Sequence, residues 1–209
     1  MTNSQAFDLR ALRVTGNVRL SSGEVAEQAG LTAQTNVLWL SAGEVERRLQ
    51  RNPWVQSARV SRTLPSTLIV SVTERAPVAV LSGRPAMLVA GDGTILGVAG
   101  RSERLPRIRV PGRPPIGSRL SPPPELRVAQ GLPTGLRSFV VRVFVDRTGA
   151  IALDLRDGTR VLFGTASQAR AKGRALQGVL SWGARHGVVA RYIDVRVPAA
   201  PALRPRSGV

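Results

Sequence analysis

The stretch Arg51–Val80, "RNPWVQSARVSRTLPSTLIVSVTERAPVAV", decides how this chain is read. Pro53 biases Asn52 out of the α region and so ends a helix. From Trp54 the pattern has period two, with Trp54, Ala58 and Val60 on one face. "TLPS" turns the chain. Leu68, Val70 and Val72 then alternate with Thr67, Ser71 and Thr73, as a half-buried strand does. The stretch is therefore a helix end and a hairpin with one apolar face to cover, leaving through Glu74-Arg75-Ala76-Pro77.

Upstream, "SAGEVERRLQRN" is the helix that Pro53 ends. Ala42, Val45 and Leu49 share one face, and Glu44 precedes Arg48 by four residues, the favourable order. Ser41 and Glu44 have capping-box spacing. So do Ser21 and Glu24 in "SSGEVAEQAG", a shorter helix stopped by Gly30. "NVLWL" between the helices is short and apolar, and both Trp39 and Trp54 read as core. Leu9–Thr15 reads as a strand ending at Gly16-Asn17. The order is β-α-α-β-β.

Downstream of Pro77 the pattern becomes strand-rich. Val78–Leu81, Met87–Ala90 and Thr94–Leu96 are short apolar runs, with an Asp-Gly turn in "AGDGT". Residues 101–124, rich in arginine and proline, read as a long surface connection, and "SPPPELRVAQGL" as one short helix. "FVVRVFV", "AIALDL" and "TRVLFG" read as three consecutive strands with hairpin turns. A helix follows over "TASQARAKGRALQGVLSWGARHG", with Leu176, Val179 and Leu180 on one stripe and Gly173 and Gly178 as weak points. "RYIDVRV" reads as a last strand and "PAAPALRPRSGV" as a proline-broken tail.

The net charge is +17, and Lys172 is the only lysine. Seven arginines between 101 and 127 face only Glu103 and Glu125. Such charge attracts anionic partners but by itself gives only salt-sensitive, nonspecific binding. Without cysteine there is no disulfide framework and no thiolate site. No apolar run approaches the ~20 residues that span a bilayer.

No catalytic constellation stands out. A single histidine, His186, near the end of the last helix, reads as a capping residue rather than a triad member or ligand. Asp146, Asp154, Asp157 and Asp194 lie at strand ends and turns, where turn chemistry accounts for them. "GDGTILG" sits between strands rather than at a strand-to-helix turn, so it is not a phosphate loop. No cofactor and no metal is called for.

Taken together, "VTGNVRLSSGEV" and "NVLWLSAGEVERRLQRNPWVQSARVSRTLPSTLIVSVTERAPVAV" resemble the POTRA domain of the FtsQ/DivIB family of bacterial division proteins. The resemblance rests on V-x-G, N-x-x-x-L, P-W-V, R-x-x-P and E-R-x-P-x-A in that order. "LVAGDGTIL", "RLPRI", "LDLRDGTRVLFG", the helix with Lys172 and "YIDVRVP" resemble the family's β domain. The resemblance implies an α+β fold: an N-terminal segment over 1–8, a POTRA domain over 9–76, a mostly antiparallel β domain with a C-terminal helix and edge strand over 77–199, and a tail over 200–209.

It also implies a non-enzymatic divisome scaffold that helps control septal peptidoglycan synthesis. Implied partners are FtsB/DivIC-like and FtsL-like division proteins, further divisome proteins through POTRA, and no specific nucleic acid. The family is anchored in the inner membrane by one helix, with both domains outside the cytoplasm at the septum. Because the POTRA strand begins almost at the N-terminus, that helix is expected ahead of Met1. The family's partner adds a strand at the last strand and the segment after it, here Tyr192, Ile193, Val195, Val197, Ala199, Ala200 and Leu203. The alternatives are a POTRA protein of outer-membrane assembly or secretion and, further off, a basic nucleic-acid-binding protein or an enzyme.

Overall fold

The computed structural model describes residues 5–206, which divide into two compact units at Ala76/Pro77. After a short 3₁₀ turn, the first unit runs β1 (Ala11–Thr15), α1 (Ser22–Ala29), α2 (Ala42–Gln50), β2 (Val55–Thr63) and β3 (Thr67–Glu74). β3 is central, parallel to β1 and antiparallel to β2. Val25 and Ala29 of α1 and Val45 and Leu49 of α2 cover Leu68, Val70 and Val72 of β3, all buried.

Local chemistry sets the ends of these elements. Ser21 and Glu24 form a complete capping box, and Gly30 closes α1 in the left-handed conformation at φ 70°. Ser41 makes no such side-chain bond. The Glu44 amide donates instead to the Ser41 carbonyl at 3.1 Å, a tight first turn that bypasses the hydroxyl. Gly16, at φ 78°, lies so close to β3 that a Cβ would sit 2.1 Å from the Val72 carbonyl oxygen.

Trp39 departs from the core reading: it is 82% exposed. The Asn36 side-chain oxygen accepts the Leu38 and Trp39 amides, curling the connection so that Val37 alone is fully buried and the indole turns outward. Trp54 packs half-buried on the core, with the Arg19 guanidinium 4.0 Å above its ring.

The second unit comprises β4 (Pro77–Leu81), β5 (Met87–Ala90), β6 (Ile95–Val98), β7 (Arg107–Ile108), α3 (Pro124–Gly131), α4 (Thr134–Arg137), β8 (Val140–Val145), β9 (Ile151–Leu155), β10 (Arg160–Gly164), α5 (Ala169–Arg185), β11 (Ala190–Asp194) and β12 (Ala202–Pro205). They form one nine-stranded sheet of order β12-β11-β10-β9-β8-β7-β4-β5-β6. Most neighbours are antiparallel. The parallel pairs are β4–β7, β7–β8 and β10–β11, the last joined through α5. Leu126, Ala129, Leu132 and Leu176 of the helical layer pack with Val143, Leu153, Val161 and Ile193 of the sheet in one core.

Residues 101–124 are not wholly a surface connection. β7 threads the middle of the sheet, with Ile108 buried between β4 and β8. Two residues are too short for a periodic signal, and the surrounding arginines and prolines mask them. The proline-broken tail likewise contains β12.

Candidate functional site at the C-terminal sheet edge

A nine-stranded sheet has two edge strands, and here they differ. The outer flank of β6 is covered at its start: Ile95 donates to the Ser118 carbonyl at 2.9 Å and accepts from the Gly117 amide at 2.8 Å. Thr94 and Arg119 form a bridge beside it. Among the described residues, no strand pairs with the outer flank of β12. The Arg206 amide turns inward to the Val189 carbonyl at 2.8 Å. By alternation the Leu203 amide and carbonyl point outward, away from β11.

The edge is therefore one strand further on than expected. β11, which holds Tyr192 and Ile193 of the expected edge, is enclosed: β10 pairs on one side and β12 on the other. Ile193 and Val195 are fully buried in the core, and the Val195 amide donates to the Leu162 carbonyl at 3.0 Å. Neither side chain reaches the surface. Tyr192 is half-buried on the opposite face, with the Arg204 guanidinium 5.9 Å from its ring centroid. Val197 is 60% exposed, and Ala199 and Ala200 are exposed in the turn before β12. That turn is closed by the Ala200 amide on the Val197 carbonyl at 3.1 Å. Leu203 packs its side chain partly on the core.

Sequence reading missed the groove between the last helix and this edge. Ala175, Gly178, Val179 and Trp182 of α5 face Pro198, Pro201 and Leu203 across an apolar groove of about 500 Å³. Trp182 is 45% exposed there. The apolar stripe of α5 was legible, but its second, outward apolar flank reads as ordinary helix surface until β12 is placed against it.

Polar contacts fix the scaffold behind the edge. The buried Lys172 ammonium donates to the Phe163 and Thr165 carbonyls, each at 3.0 Å, tying α5 to the end of β10. Burial pushes its pKa down from the ordinary lysine value. The Thr159 hydroxyl donates to the Ala190 carbonyl at 2.9 Å. Asp194 accepts from Arg196, which holds the carboxyl below its ordinary value and raises the guanidinium in return. His186 caps α5 through Nδ1 and the Trp182 carbonyl, 2.8 Å apart, with its ring stacked on that indole. Among the described residues, no group of three or more His, Asp or Glu could hold a metal ion.

Residues 7–75 match the POTRA domain, FtsQ-type. The chain is 29% identical over 198 residues to a cell division protein FtsQ of Streptomyces bingchenggensis, covering 91% of this chain and 73% of that protein. It is 28% identical over 204 residues to a cell division protein FtsQ of Mycobacterium leprae, covering 95% of this chain and 56% of that one. A Bradyrhizobium diazoefficiens cell division protein FtsQ is 31% identical over 98 residues, 46% of this chain and 28% of that protein. The chain thus carries an FtsQ-type POTRA domain and, over nearly its whole length, is similar to cell division proteins FtsQ.

Proposed function

We propose that this chain acts as a non-enzymatic scaffold of the division machinery. It captures an FtsB/DivIC-like partner, in complex with an FtsL-like one, by accepting a strand on the outer flank of β12. The observation that carries this reading is the asymmetry of the sheet edges: residues 117–119 cover the start of β6, whereas among the described residues β12 offers free main-chain groups beside an apolar groove. Main-chain hydrogen bonds would give affinity, and the groove would take an apolar partner side chain. Val197, Ala199, Ala200 and Leu203 are the residues of the turn and edge that such a strand meets. Tyr192 lies beneath on the outer face, and Ile193 and Val195 hold β11 in place from within the core. The POTRA unit docks further division proteins. Anchoring in the inner membrane, with both units outside the cytoplasm at the septum, completes the reading. No described helix is long and apolar enough to cross a membrane, so none of them supplies that anchor.

Leu203→Pro tests the edge, because proline removes the outward N–H at a position where an edge strand tolerates it. Titration calorimetry with the extracytoplasmic segment of the FtsB-like partner should show binding to the native protein and a loss of at least about tenfold in the variant, roughly one good interaction. Trp182→Ala should weaken binding through the groove. Unchanged affinity in both variants, with folding confirmed by circular dichroism, would sink the assignment.

A further inference from the structure

The β-domain sheet carries one continuous row of side chains on the face opposite α3 and α5. Strand register pairs Arg107 with Arg142, Arg142 with Asp154, Asp154 with Arg160, Arg160 with Tyr192, and Tyr192 with Arg204. Each of the six has a chain neighbour in or against the core, such as Ile108, Val143 and Ile193, so alternation sends the row to the other face. With strands about 4.8 Å apart, the row runs roughly 24 Å across six strands. All four arginines are exposed. The row's single acid, Asp154, accepts from Nε of both Arg142 and Arg160 and fixes their planes.

We propose that this row binds a linear phosphodiester polyanion, a poly(glycerol phosphate)-type polymer, laid across the strands. Guanidinium groups match phosphate oxygens in bidentate fashion and stay charged at any working pH. Three features narrow the occupant. The row is transverse, so an acidic peptide running with the strands meets one member of it. The next register row, Phe144, Ala152, Leu162, Asp194 and Ala202, carries no arginine; beside it stand Arg109, past the end of β7, and Arg196, which is paired with Asp194, so the bases concentrate in a line rather than spread over the plane that a lipid surface would need. Guanidinium groups already cover the aromatic rings: Arg142 and Arg160 lie 4.5 and 5.4 Å from the Phe144 centroid, and Arg204 lies 5.9 Å from that of Tyr192. Those rings are not free to stack nucleobases. The choice of a glycerol phosphate polymer as the source rests on the extracytoplasmic placement proposed above.

The test is a fluorescence titration of the full chain with a poly(glycerol phosphate) oligomer over a salt series. The double variant Arg107→Gln/Arg160→Gln leaves Arg142 on Asp154. It should bind about tenfold more weakly at moderate salt and lower the log–log salt slope by about 1.5, two phosphate contacts at roughly 0.7–0.9 each. Arg13→Gln/Arg59→Gln, exposed on the POTRA sheet with the same change of charge, should leave binding intact. If Arg160→Gln disturbs folding, Arg107→Gln alone should give about half the slope change. Partner-segment binding at β12 should persist in Arg107→Gln/Arg160→Gln, so a failure here is separable from a failure of the scaffold reading. The proposal is overturned by absence of polymer binding, by equal loss in the POTRA control, or by tighter binding to single-stranded DNA or phosphatidylglycerol vesicles than to the polymer.

Discussion

Glu74 shows how the Glu74-Arg75-Ala76-Pro77 exit works at the scale of single side chains. Its carboxylate accepts the amides of Val18, Arg19 and Leu20 at 2.8–3.0 Å, closing the turn after β1 onto the end of β3. Burial would raise its pKa, but the three amides and the Arg19 charge outweigh that and hold it below the ordinary value. A lowered folded pKa contributes stability at neutral pH that is lost as pH falls through that value. Glu74→Gln should cost about 1 kcal/mol at pH 7. Thermal melts across the acid range should show a shallower pH dependence in the variant than in the native protein. Arg75 donates to the Pro53 and Val55 carbonyls, and Arg62 to those of Leu38 and Leu40. The conspicuous stretch that identified the fold is thus a set of clamps. In the β unit, Lys172→Met should cost about 2 kcal/mol in urea unfolding, because two carbonyls at the end of β10 lose their donor.

At the scale of elements, the two glycines that weaken α5 have opposite meanings. A Cβ on Gly173 would lie 2.9 Å from the Gly131 carbonyl oxygen of α3 and 3.0 Å from Pro133, so the glycine permits the helices' close approach. A Cβ on Gly178 would meet nothing within 4 Å. Gly178→Ala should therefore stabilise by about 0.5–1 kcal/mol through helix propensity. Gly173→Ala should be destabilising by about 1 kcal/mol net, as overpacking exceeds the propensity gain. Chemical denaturation of the two variants checks the sign of each. Sequence reading could list both glycines but not separate them, since only the crossing with α3 distinguishes them. The same limit applied to Ser41, whose spacing matches a capping box that its helix does not use.

At the scale of the whole molecule, each unit owns a separate hydrophobic cluster and a separate sheet. Residues 77–209 produced alone should fold with a cooperative thermal transition and retain partner binding, as circular dichroism and calorimetry would show. Local alternation and turn chemistry determined the β-α-α-β-β order of the first unit, the strands β8, β9 and β10 of the second, and α5. These depend on neighbours within a few residues, and each leaves a periodic trace. The tertiary structure alone decided that a two-residue strand runs through the centre of the sheet, that Trp39 faces outward, and that the open edge is β12 rather than β11. Which strand ends a sheet is fixed by pairing between segments distant in sequence. A four-residue strand among prolines carries no periodicity strong enough to announce it, so most of the expected site residues fell on β11 and the turn after it, and only Leu203 on the edge strand itself.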